Sequence, residues 1–444
     1  MGAPLSNQPE LRHKALTRTI PVSASRGQTV GSRENTKMIS TRRTLIGGAA
    51  ALSLAPMTRL RAQGRTKLTI GVLTDLSGTY RDNTGPTSVA ATQLAVDEMK
   101  THLDCDIEVI SADHQNKPDV AASIARQWFD GGVDVAADVP TSSVALAVAQ
   151  VAKEKDKLML NASATVSSLT DEQCSPNTIV WSFDTYENAH STGGSLVAQG
   201  FKSWYFITAN YAFGQSLETL TAEVVSKGGG EIKGTARYPF PDTTDFSSYL
   251  TQAQASGATV VGFANAGLDT ENCIKQAAEF GLNHTMKLAP LLMFIQNPHS
   301  LGTKICGGLL TTETFYWDMN DRTRGFTKRL LARTKENNYP NQAHASSYGS
   351  TIHYLKAVAA MGGAAAKKSG RAVVAKMKAL PTDDDAFGPG KVRADGRGEF
   401  PAYLFQVKTA NESKGEWDLY KLVSTTAPAD VLHPLNPKCS FPVG

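Results

Sequence analysis

Paired-cysteine motifs are missing from this chain, and so is any long apolar run in its main body. Cys105, Cys174, Cys273, Cys306 and Cys439 stand far apart with no CxxC among them, which argues against zinc-ribbon and thioredoxin chemistry. Beyond residue 62 no stretch approaches the roughly 18 apolar residues of a spanning helix. Also absent are GxSxG, HExxH, GxxxxGKS/T and a GxGxxG following a strand, so the common hydrolase, metalloprotease and nucleotide-binding signatures are excluded. His344 and His353 lie about two and a half helical turns apart, a poor spacing for a shared metal. No cofactor and no metal is expected. Charge of one sign is scarce too: the net formal charge is +4, and part of it sits in the first 65 residues. Nothing there calls for nucleic acid or an acidic membrane surface as partner.

What the chain does have begins with a leader. Arg42-Arg43 precede the apolar run Leu45 to Pro56, which ends near Arg61-Ala62-Gln63. That run is too short to cross a bilayer and reads as an export signal removed from the mature protein. The arginine pair resembles a twin-arginine signal, with Leu45 and Gly47 at positions where Phe and Lys are usual, so Sec export stays open. Met38 is a candidate true start, and residues 1–62 are set aside from the fold. No Cys closes the leader for a lipid anchor, so a free periplasmic protein is expected.

The remaining 380 or so residues suit two domains. Short β-branched runs alternate with longer amphipathic ones, a pattern of parallel sheets with crossover helices. Strands are read at 68–73, 107–112, 133–137, 158–161, 204–208, 260–263 and 309–313. Helices are read at 88–101, 117–130, 143–155, 189–199, 214–227, 246–255 and 269–280, followed by 326–337, 345–361 and 371–380 with no strands between them. A β-like ending spans 390–422. The break in alternation predicts that the chain returns to a first lobe and then crosses again. Crossings are expected near Phe183-Asp184, near Thr311–Thr314 and in 381–390, where Asp383-Asp384-Asp385 lacks the alternating spacing of a calcium loop. The expected division is 67–183 with 314–380 as one lobe and 184–311 with 381–444 as the other. The tail Pro437-Lys438-Cys439-Ser440-Phe441-Pro442 reads as a segment that needs pinning in an oxidising compartment, which pairs Cys439 with Cys174. The other cysteines are expected as buried thiols.

In open parallel sheets ligands bind at the carboxyl ends of strands. Four such junctions here are rich in hydroxyls or rings: 75–80 leading to Asn83 and Gly85, 138–143, 161–165 and 208–214. Ser142 and Ser143 open a helix whose amides favour an anion. Ser163, Ala164 and Thr165 let a ligand approach the backbone, and Tyr211 and Phe213 can close over it.

In order and spacing, KLTIGVLTDLSGTYRDNTG, DVPTSSVALAVAQVA, LMLNASATVSSLT, VWSFDTYENA and YFITANYAFGQSL resemble the periplasmic receptors of the branched-chain amino acid type that serve ABC importers. The resemblance spans residues 67 to about 425. It implies an α/β protein of the type I periplasmic-binding fold: two Rossmann-like lobes joined by three hinge crossovers, with a small organic solute between them. It implies that Ser142 and Ser143 bind the solute carboxylate, that Ser163, Ala164 and Thr165 add contacts, and that Tyr80 and Asn83 border the pocket. Tyr186, Tyr211 and Phe213 would close from near the hinge and the second lobe. Where the family places an acidic residue and a tyrosine for the ligand ammonium, this chain reads Phe263-Ala264-Asn265-Ala266-Gly267 and then Leu291-Leu292-Met293-Phe294-Ile295. With no carboxylate there, Asn265 is the polar candidate, and a carboxylate or aromatic solute is expected before a branched-chain amino acid. The expected partners are that solute and the permease subunits of an ABC transporter, with the receptor itself a monomer. A ligand-sensing module for a signalling partner uses the same cleft and remains an alternative. An exported hydrolase is the third.

Overall fold

Residues 64–441 are described in the computed structural model; the leader, with Arg42 and Arg43, lies outside the described residues. The first strand, β1 (Thr66–Thr74), is buried from Leu68 onward, as a strand covered by helices on both faces must be. It pairs in parallel with β2 (Cys105–Asp113) and β3 (Val135–Asp138), for example Ile70 with Val109 and with Val135. Completed by β4 (Leu158–Asn161) and β5 (Thr178–Val180), the sheet has the order β2-β1-β3-β4-β5. Helices α1 (Gly85–Met99), α2 (Pro118–Asp130) and α3 (Ser142–Glu154) link its strands.

A second parallel sheet runs β7-β6-β8-β9, from β6 (Ser203–Ala209), β7 (Glu231–Tyr238), β8 (Val260–Ala264) and β9 (Lys287–Pro290). Its reversal of order at β6 and the reversal at β1 in the first sheet make each lobe Rossmann-like. The strand β7 escaped the sequence reading because it is an edge. Its outer residues are polar and exposed, and only Ala236 and Tyr238 are buried, so the apolar signature is missing.

Farther on, β10 (Leu310–Glu313) lies antiparallel to β14 (Ala402–Val407), which pairs with β15 (Tyr420–Thr426). Between these, β11 (Thr382–Asp384), β12 (Gly388–Val392) and β13 (Gly398–Glu399) form a small antiparallel sheet. This sheet corrects the third expected crossing. Residues 381–390 fold as a hairpin, Val392 and Phe400 pack in one core with Leu68, Leu160 and Trp181, and Arg397 bridges to Val180. The chain passes between lobes at about 400–402, because Phe405, Val407 and Tyr420 pack with Ile207 and Phe263 instead. Assigning all of 381–444 to the second lobe is therefore corrected for 382–400. The tail also leaves the second lobe, held by the disulfide expected from the sequence: Cys174 and Cys439 are joined, 265 residues apart in sequence with Cα atoms at 5.8 Å. Cys105, Cys273 and Cys306 are buried free thiols.

The crossings are bound together by buried charge. Arg397, with no exposed surface, donates from Nε to Asp184 at 3.1 Å and from Nη2 to Glu187 at 2.9 Å. Both carboxylates are also fully buried. The second crossing is tied by hydroxyls, Thr312 to Thr192 at 2.7 Å and to Ser191 at 2.8 Å.

Candidate functional site

The loop after β1 is shaped by one carboxylate. Asp75 accepts from the amides of Ser77, Gly78 and Tyr80 at 3.1, 2.6 and 2.9 Å, and from Asn116 Nδ2 at 2.7 Å. These bonds turn the chain sharply and set Tyr80 and Asn83 toward the second lobe. Asn116 in turn accepts from the Thr141 hydroxyl, which ties the next junction to the first.

That junction is strained. Asp138, Val139 and Thr141 have φ of 70, 55 and 72°, a region where a β-branched residue is a marked outlier. Each such residue costs on the order of 1–3 kcal/mol, and strain of this kind gathers at ligand clamps. Its effect is to bring Thr141 and Ser142 to the start of α3, whose first amides have no intrahelical partner. Ser142 Oγ accepts from the Val166 amide at 3.2 Å. Beyond β4, Asn161 holds Ala164 by two bonds, Nδ2 to its carbonyl at 2.7 Å and Oδ1 from its amide at 3.1 Å. Ser163 donates to Asp138, and burial pushes the Asp138 carboxyl up to about 6.

Between the lobes these loops enclose about 330 Å³ of unfilled space, its mouth included. The first lobe contributes Tyr80, Asn83, Thr84, Pro140, Thr141, Ser142, Ser163, Ala164 and Thr165; the second contributes Tyr211, Phe213, Ala266, Leu292 and Phe294. Every one of these side chains is uncharged. The polar wall belongs to the first lobe and the apolar wall to the second. Asn83 is 4% exposed and its Nδ2 has no partner, leaving a buried donor available to a solute.

The lobes meet across this space. Tyr80 and Tyr211 hydroxyls are 2.5 Å apart, and Phe240 stacks on both rings with centroids at 5.6 and 4.4 Å. Burial raises both phenols well above their ordinary value, so both keep their protons. Beside them the Thr79 carbonyl accepts from the Leu268 amide at 3.2 Å, and the Thr79 hydroxyl donates to Asp269 at 3.3 Å. Asp269 also accepts from Tyr238 at 2.7 Å. Burial pushes its carboxyl up to about 7, opposed by those hydrogen bonds. Gly267 permits the approach: its φ is +64°, and a Cβ there would stand 2.5 Å from the Thr79 carbonyl.

A family model for periplasmic binding proteins matches residues 67–415. The chain belongs to the periplasmic binding protein family. It is similar to a periplasmic binding protein from Burkholderia mallei, 41% identical over 84% of this chain and 98% of the other, with a TM-score of 0.79. A branched-chain amino acid ABC transporter periplasmic ligand-binding protein from Burkholderia xenovorans is 35% identical over 83% and 97%, with a TM-score of 0.71. A solute-binding protein of an ABC transporter from Rhodopseudomonas palustris, solved with benzoate, shares the fold at 22% identity over 83% and 99%, with a TM-score of 0.72. No curated protein matches the chain. The binding protein is thus an extracytoplasmic solute receptor with the type I periplasmic-binding fold, from a family of receptors and not of enzymes.

Of the residues singled out in the sequence, Tyr80, Asn83, Ser142, Ser163, Ala164, Thr165, Tyr211 and Phe213 come together around the cavity. Ser143, Tyr186 and Asn265 do not line it, which corrects their expected place. Ser143 is one residue further round the helix than Ser142, a rotation of about 100°. Tyr186 stacks on His190 with centroids at 3.8 Å and meets the tail residue His433 edge-on. Asn265 is occupied within its own turn, accepting from Thr270 at 2.7 Å and donating to Cys273 Sγ at 3.3 Å. Thr84, Pro140, Thr141, Ala266, Leu292 and Phe294 were not singled out. Leu292 and Phe294 follow β9, a four-residue strand of ordinary composition, and only their position at its carboxyl end marked them. Among the described residues no helix is long and apolar enough to cross a membrane, and no group of His, Cys, Asp and Glu is placed to hold a metal.

Proposed function

We propose that this binding protein captures a small carboxylate with an apolar or aromatic body and delivers it to the permease subunits of an ABC importer, working as a monomer after export under its twin-arginine-like leader. The observation that carries the reading is the division of the cavity. One wall offers the start of α3, the Ser142 hydroxyl and the unpartnered Asn83 amide, while the other offers Phe213, Ala266, Leu292 and Phe294 with no carboxylate among the lining residues. An anion is favoured at such a helix start. A buried ammonium facing only neutral groups would be costly. The same fold holds benzoate in the R. palustris receptor, so the architecture does not itself demand an amino acid.

Thermal unfolding of the purified mature protein tests this with a panel of apolar and aromatic carboxylates, their amides, and leucine, isoleucine and valine. A rise in Tm is expected with carboxylates and not with the matching amides. A rise confined to the amino acids would overturn the reading.

A further inference from the structure

The hydroxyl groups of the cavity are not free to turn, and their orientation selects among carboxylates. Asp75 is the fixed point: its carboxylate already accepts three backbone amides and can only accept from Asn116, so Asn116 must present Nδ2 to it and Oδ1 to Thr141. The Thr141 hydroxyl therefore spends its one proton on Asn116, leaving only acceptor capacity for the cavity. Ser163 is fixed in the same way by Asp138, whose carboxylate takes the Ser163 proton. Ser142 is the reverse case, since its oxygen accepts from the Val166 amide and its proton has no partner among the described residues. Asn83 Nδ2, nine-tenths buried and unpartnered, is a second donor.

Acceptor and donor thus alternate at adjacent residues, Thr141 and Ser142, whose Cα atoms are about 3.8 Å apart. A solute that satisfies both carries a hydrogen-bond donor close to its carboxylate. An ammonium there would lack a carboxylate counterpart among the lining residues, whereas a hydroxyl needs only the two oxygens of Thr141 and Ser163. We infer that the cavity is built for a 2-hydroxycarboxylate with an apolar or aryl body, its carboxylate on Ser142 and the start of α3 and its hydroxyl donating to Ser163 or Thr141. This rests on the carboxylate reading above and narrows it. Asp138 acts here as a positioning residue, since it reaches the solute only through Ser163.

Calorimetric titration with two matched sets tests the inference: mandelate, phenylacetate and phenylglycine, and 2-hydroxy-4-methylpentanoate, 4-methylpentanoate and leucine. In at least one set the hydroxy acid is expected to bind tenfold or more tighter than the acid lacking the hydroxyl, since an unpaired buried acceptor penalises the latter. Equal binding of the two acids would overturn the inference and leave the carboxylate reading standing. Binding of the amino acid alone would overturn both. Ser163→Ala is expected to bring the hydroxy-to-deoxy ratio toward one, because the hydroxy acid loses its acceptor and the deoxy acid no longer leaves one unpaired. Asp138→Asn keeps the shape and suits the positive φ, yet its amide can donate to Ser163 and free that proton for the cavity, so it too should collapse the ratio. The variants' unfolding without solute reports their folding, and an unchanged ratio in a folded Asp138→Asn protein would overturn the role given to Asp138.

Discussion

The Tyr80 hydroxyl of one lobe meets the Tyr211 hydroxyl of the other at 2.5 Å, and Phe240 stacks on both rings. The pair joins the two lobes beside the cavity, so it favours the same lobe arrangement that borders a bound solute. Such hydrogen bonds contribute about 0.5–1.5 kcal/mol. Tyr211→Phe keeps the stack and loses the bond, and is expected to weaken solute binding about threefold to tenfold with little change in the unfolding of the solute-free protein. Tyr211→Ala should weaken it further, because the stacking is lost as well. Titration calorimetry on the two variants checks the order; equal affinities for Tyr211→Phe and the parent would mean that the hydroxyl pair adds nothing to solute binding.

Ser142 and Ser143 are distinguished by the cavity, and a pair of single substitutions reads the difference. A hydrogen bond to a charged group is worth about 1.5–3 kcal/mol, so Ser142→Ala should lower carboxylate affinity about tenfold to a hundredfold. Ser143→Ala should leave it within about twofold. A comparable loss in both would mean that the helix start as a whole, and not the Ser142 hydroxyl, holds the anion.

Arg397 is paired with Asp184 and Glu187 where the first and third crossings touch, with all three side chains buried. Removing one partner from a buried ionic group leaves charge uncompensated, at about 3–5 kcal/mol. Arg397→Met is expected to lower stability by that amount in a denaturant titration. Adding Asp184→Asn to it should recover part of the loss, since a stranded carboxylate is then neutral, whereas burial already pushes the Glu187 carboxyl up to about 8. A double variant less stable than Arg397→Met would contradict this account.

Glu313, in the second crossing, is buried, and burial pushes its carboxyl up from 4.5 to about 8. As pH rises through 4.5 the unfolded chain releases this proton while the folded protein keeps it, so between about 4.5 and 8 this group makes stability fall with rising pH. His344 works in the other direction below 6.5, because burial holds it down to about 3 and the unfolded chain takes up its proton first. Glu313→Gln removes the first effect and leaves the second. The stability of the variant relative to the parent should therefore improve from pH 5 to pH 8 in urea titrations, and a constant difference would exclude Glu313 as the source.

Periodicity alone identified the alternating strands and helices and hence the parallel sheets, because a strand buried on both faces and an amphipathic helix each leave a local signature. It also located the cavity's loops, since parallel strands deliver their carboxyl ends to one side of a sheet. The absence of a carboxylate at 263–267 and 291–295 was likewise legible, and the lining residues of the second lobe are uncharged. What only the tertiary structure decided depends on rotation, register and distant partners. Ser142 faces the cavity and Ser143 does not because one residue turns a helix by about 100°. Tyr186 and Asn265 are drawn to His190 and Cys273 by neighbours that no strand-end rule supplies. The hairpin of 382–392 joins the first lobe because Val392 and Phe400 find their core there. The orientation of the Thr141 and Ser163 protons is settled by Asp75 and Asp138. Each outcome is set by contacts between segments far apart in the chain, which become neighbours only when the sheets assemble.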